Sequence, residues 1–112
     1  MPRYSQLSYA KERERMKGAL FTKYTRVTDE LEEQQEKLAR QESRGAYTGR
    51  TEAKIEDLEE DKLALAMTME QSFPESFDFD NEGNLIRASL SDVARRRFAR
   101  GAMWSSLTDW AR

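Results

Sequence analysis

The stretch RGAYTGRT, Arg44 to Thr51, lies between two long charged runs and carries Gly45 and Gly49. Two readings compete for it. A phosphate-cradling loop needs G-x-x-x-x-G-K-[S/T] after a buried strand, so that backbone N–H groups and a lysine close round the phosphates. Here the glycines stand one residue too close together and Arg50 occupies the lysine position. The preceding residues 31–43, LEEQQEKLARQES, are helical in composition and cannot form an apolar strand. The stretch therefore reads as a turn between two helices.

The flanks agree with that reading. Upstream, Tyr24, Val27, Leu31, Gln34, Leu38 and Gln41 recur at alternating steps of three and four; downstream, Ile55, Leu58, Lys62, Leu65 and Met69 do the same. If the chain reverses between Gly45 and Gly49, facing residues have numbers adding to 96. That rule pairs Gln41 with Ile55, Leu38 with Leu58, Gln34 with Lys62, Leu31 with Leu65 and Val27 with Met69. Each pair sets an a-type position against a d-type one, as antiparallel knobs-into-holes packing requires. Gly45 ends the first helix in the left-handed region, and Thr51 with Glu52 caps the second. The Gln34–Lys62 layer, being polar, is a candidate for fixing the register.

These signals predict a mainly all-α fold. A first helix spans 5–43, about 55 Å at 1.5 Å per residue, with Gly18 as a point of bending. A turn at 44–50 and a second helix at 51–72 complete a long antiparallel, coiled-coil-like hairpin. Residues 73–88 read as a loop and short β-hairpin around Asn81-Glu82-Gly83-Asn84, where turn residues separate apolar alternation. Ser89-Leu90-Ser91-Asp92 opens a C-terminal amphipathic helical segment at 89–112. The whole forms a single domain, because 112 residues are too few for two ordinary ones. The N-terminal part of the first helix, with Tyr4, Leu7, Tyr9, Met16, Leu20 and Phe21, overhangs its partner and needs cover from residues 73–112.

Composition narrows the function. The chain has no Cys and no His, so disulfides, Cys/His zinc sites, thiol nucleophiles and His-based acid–base pairs are absent. The longest apolar run is Leu63 to Met67, too short for a membrane span, and the N-terminus has no apolar core of a signal peptide. The expected setting is intracellular, or inside a particle. Charge is strongly patterned. Residues 1–28 hold 7 Lys/Arg against 2 Asp/Glu, residues 29–86 hold 6 against 17, and residues 87–112 hold 6 against 2. Basic ends flanking an acidic middle suit head-to-tail complementarity or two different partner surfaces.

Three residue groups invite a chemical reading. Asp78, Asp80, Glu82 and Gly83 echo the start of a Ca2+-binding loop, but position twelve is Ser89 where a bidentate Glu is needed, and Pro74 stops any helix leading in. Arg95, Arg96, Arg97 and Arg100 would suit phosphates, yet on a helix they spread over roughly 200° of circumference. Pairing with the acidic stretches of the same or a neighbouring chain fits them better. The carboxylates of Glu56 to Asp61 read as a solvated helix face, with nothing nearby to raise a pKa. No cofactor and no enzymatic activity are expected.

The leading expectation is a non-enzymatic interaction or assembly protein, a small structural or adaptor subunit of a larger complex such as a viral or phage particle. It would use an acidic hairpin tip and an aromatic, Arg-rich base that engages a protein partner or further copies of itself. Tyr9, Phe98, Trp104 and Trp110 are the candidate anchors, with Arg96 and Arg100 as polar clamps. The alternative is a nucleic-acid-binding regulator that uses the basic N-terminal third and ARRRFAR (94–100). A third reading is a small inhibitor presenting its acidic hairpin to a basic site.

Overall fold

The computed structural model describes residues 2–90. Two packed helices, α1 (Pro2–Arg44) and α2 (Gly49–Ser72), are followed by a two-stranded antiparallel sheet, β1 (Phe77–Phe79) and β2 (Leu85–Ala88). The expected helix from Ser89 onward, with Arg96, Phe98, Arg100, Trp104 and Trp110, lies outside the described residues apart from Ser89 and Leu90.

α1 begins at Pro2, earlier than Ser5. Proline is at home in a first helical turn because its missing N–H has no intrahelical partner there. The helix passes through Gly18 without interruption. The molecule's longest extent, 64 Å, is what 43 residues reach at 1.5 Å each without a sharp bend. The expected bend at Gly18 is therefore not observed.

The reversal at Gly45 follows the expectation. Gly45 has φ +70, its N–H donates to Glu42 O (3.2 Å), and the Ala46 N–H donates to Gln41 O (2.9 Å). This pair of bonds satisfies two carbonyls at the helix end, as in a Schellman motif. The second helix starts two residues before the expected Thr51. Thr48 occupies the cap position, with its carbonyl accepting from the Glu52 N–H (2.9 Å) and its hydroxyl donating to Glu52 Oε1 (3.0 Å). Thr51 is buried inside the helix and does not cap it.

The seam uses the expected stripes in a shifted register. Leu31, Leu58 and Met69 are buried, while Val27, Leu38, Ile55 and Leu65 are half-buried. Val27 shares a shallow cleft with Leu65 and Thr68, whereas Met69 packs in the cluster that contains Phe21 and Tyr24. Glu30 pairs with Lys54 at 3.2 Å. Had numbers added to 96, Glu30 would be level with Ala66, twelve residues or about 18 Å from Lys54 and beyond a lysine's reach. The helices are thus slipped by at least one turn relative to the expected rungs. Lys62 is not the partner of Gln34 either; its ammonium donates to Asn84 Oδ1 in the β-turn.

α2 stops where Pro74 removes a donor, and its last bond runs from the Phe73 N–H to Met69 O (2.8 Å). The strands pair Phe77 with Ala88, Asp78 with Arg87 and Phe79 with Leu85. Ile86 is the extra residue of a bulge and is 68% exposed. The turn is built on Asp80, whose Oδ1 accepts from the Glu82 and Asn84 N–H groups (both 2.9 Å). Gly83 has φ +81, and a Cβ there would lie 3.3 Å from Leu63 Cα. Only glycine meets both demands.

The sheet lies over the helix pair and closes the core. Phe21, Tyr24, Ala66, Met69, Phe73, Phe77 and Leu90 form one buried cluster. Phe77 stacks on Phe21 with ring centroids 6.0 Å apart and meets Phe73 edge-on at 6.4 Å, while Tyr24 meets Phe79 edge-on at 5.4 Å. The cover that Leu20 and Phe21 require therefore comes from residues 73–90.

Candidate interaction site

The hairpin has a thick base and a thin arm, and their surfaces differ in chemistry. In the base, Tyr24 joins the sheet to α1. Its hydroxyl donates to Gly83 O (2.8 Å) and accepts from the Leu85 N–H (3.2 Å). Burial pushes its phenol up to about 12, only partly offset by the Leu85 N–H. Arg13 lies over the Phe73 ring at 4.5 Å, donates to Ser72 O (2.8 Å) and pairs with Glu75 (3.1 Å). Lys17 is buried against the same ring and bonds Glu14 at 3.0 Å. Arg15 pairs with Glu12 at 2.9 Å. Three cations of the basic N-terminal third are thus engaged by their own chain.

The arm presents acid, and in a different place from the expected tip. Folding the chain at Gly45 brings Asp29, Glu30, Glu32, Glu33 and Glu36 of α1 alongside Glu56, Asp57, Glu59, Glu60 and Asp61 of α2. Neither run contains a Lys or Arg. The tip beyond them, residues 37–54, holds Lys37, Arg40, Arg44, Arg50 and Lys54 against Glu42 and Glu52. The carboxylates thus make a belt nearer the turn than the start of α1 but short of the tip, and the tip itself is mildly basic. The cause lies in the order of charges along the chain: residues close to the reversal are the basic ones. Glu30, at the edge of the belt, is held by Lys54. Partial burial first, then Glu32 and Glu33 on the same helix, raise the Asp29 pKa, so its ionised form is disfavoured where it stands.

Tyr9 stands 68% exposed on the α1 overhang. Asp78 accepts from Arg87 Nε across the strands (2.8 Å), and Asp80 folds onto its own turn, with the Asn84 N–H first among the causes that lower its pKa. Glu82 is exposed. Among the described residues no group of three or more carboxylates is placed to hold a metal ion. Also among these residues, no helix is long and apolar enough to cross a membrane. Sequence reasoning missed the roles of Tyr24 and Lys62. Both sit at seam positions, and only the return of the β-turn onto the helices gives their polar ends partners.

Comparison with protein-family models, with curated proteins and with solved structures returns no match.

Proposed function

We propose that this chain is a non-enzymatic interaction or assembly module that presents a carboxylate belt on a helical arm to a basic surface of a protein partner. The carrying observation is the belt itself. Ten acidic side chains lie in two cation-free runs on adjacent helices, and mostly in solvent. Concentrating like charge on a thin seam weakens the fold, and it steers a cationic partner toward the arm. An adaptor or structural subunit of a larger assembly would use such a surface, and so would a small inhibitor of a basic site. The engagement of Arg13, Arg15 and Lys17 within the base weighs against the nucleic-acid reading, as does the belt's repulsion of phosphate.

Photo-crosslinking in the native host tests this, with the reactive group placed at Gln35 or Ala53, both exposed and both beside the belt. The expected result is capture of a basic protein surface, lost in the charge-reversed variant E56K/E59K/E60K and weakened by salt. Capture unchanged by that reversal would overturn the proposal, as would tight, steeply salt-dependent binding to duplex or single-stranded nucleic acid.

A further inference from the structure

A groove of roughly 590 Å3 runs between α2 and the β-turn. Leu63, Met67 and Pro74 form one wall, and Phe79 contributes the apolar side of the other. The charged residues lining it, Glu70 and Asp80, are both acidic. Met67 is 54% exposed, so the groove offers a polarisable apolar floor with a negative rim. Its natural complement is a segment that combines an aromatic ring with arginines.

The chain contains such a segment close by. Residues 94–100, ARRRFAR, hold four arginines, one phenylalanine and no acid. The described chain ends at Leu90, buried in the base, just after the Ser89 N–H donates to Ser76 O (2.7 Å). Ser76 is two residues from Pro74, at one end of the groove. The five steps from Leu90 to Arg95 span up to about 17 Å when extended. A tether this short holds the segment near the groove at an effective concentration of roughly millimolar, ahead of any second copy.

We propose that Arg95–Arg100 docks into this groove of its own chain, with Phe98 against Met67 and Phe79 and the arginines on Glu70 and Asp80. This goes beyond the function proposed above: it gives the arginine cluster an intramolecular seat and leaves the acidic belt to the partner. It also stands or falls separately, because the test reads the isolated chain without any partner.

The chain has no native cysteine, so the full-length variant Q71C/A99C carries a single possible intramolecular disulfide while keeping Phe98, Met67 and both acids. Under dilute, mild oxidation it is expected to close within one polypeptide at least about tenfold faster than the control pair E36C/A99C, the advantage a tethered contact gives. Adding E70K or F98D should remove most of that advantage, and R96E placed on E70K should return part of it. Gln71 and Glu36 are both exposed, and circular dichroism verifies that each variant is folded. Equal closure rates for the two pairs would overturn the proposal. So would insensitivity to both E70K and F98D, or disulfides forming between chains before they form within one.

Discussion

The base and the arm are made from the same two helices, yet different physics holds them. In the base, aromatic rings from α1, β1 and Phe73 just past α2 interlock, and a tyrosine hydroxyl, a lysine and an arginine bridge the elements. In the arm, Leu31, Leu58 and Thr51 are buried, flanked by half-buried Leu38 and Ile55. A two-helix seam removes little apolar surface from water, so the arm draws its order from the base to which it is spliced. A third layer, even one of two short strands, decides where an antiparallel hairpin is firm.

The sharpest way to break this contrast is to cut the base. Phe77→Ala empties a fully buried site and is expected to cost about 3–5 kcal/mol, enough to melt base and arm together. Leu58→Ala in the arm should cost about 2 kcal/mol, since an open seam can collapse on the gap, and should leave base amides protected. Denaturant melts and residue-level hydrogen exchange separate the two outcomes; equal loss of protection in both regions of the Leu58→Ala variant would mean that arm and base are one cooperative unit.

Alkali should act through Tyr24. Folded and unfolded phenols are both neutral below about pH 10; above it the unfolded form ionises while the folded one holds its proton to about 12. Stability therefore falls as pH rises through that window, by about 2–3 kcal/mol in all. Comparing the wild-type chain with Tyr24→Phe isolates the effect: the variant is weaker at neutral pH, leaving Gly83 O and the Leu85 N–H without their partner, and it should lack this alkaline decline.

Acid should divide the two regions by sign. Asp80 and Glu75 in the base have lowered values, first through backbone N–H groups, so their contribution is present above the ordinary carboxylate range and lost as pH falls through the lowered values. Asp29 in the arm has a raised value, so its ionisation opposes folding and protonation relieves it. Lowering pH from about 7 towards about 4 should raise protection factors around Asp29 first, before those of the β-turn decline. A fall around Asp29 would show that its ionised carboxylate is not what limits the arm. The smallest effect is expected at Gln41, whose Oε1 is buried without a hydrogen-bond donor among the described residues. Gln41→Leu should stabilise by about 1 kcal/mol, read as a shift in melting midpoint.

Much of this architecture was legible in order and type. Gly45 announced the reversal, the three-four spacing announced the seam, and Asn81-Glu82-Gly83-Asn84 announced the β-turn. The register was not legible, for a physical reason. A heptad stripe looks the same after a slip of one turn, which merely exchanges a-type and d-type positions. What marks the register is the packing of Met69 with Phe21 and Tyr24 in the base and the Glu30–Lys54 pair in the arm, and both are contacts between residues distant in sequence. Charge balance placed acid in the middle of the chain but not on the arm's waist, because that depends on where the two helices meet. The groove was invisible in sequence, being lined from two elements whose packing rests on Gly83.

At Gly45 the left-handed backbone breaks the helical path, yet a β-carbon at this position would touch nothing within 4 Å. The obstacle to substitution is therefore purely torsional, about 1–2 kcal/mol for an L-residue. Straightening the turn would join α1 to α2 as one uninterrupted helix, whose two halves could find their complements only on another molecule. A change as slight as Gly45→Ala would then convert a self-contained fold into an exchanged dimer, with the same contacts redistributed between chains and with its population set by protein concentration.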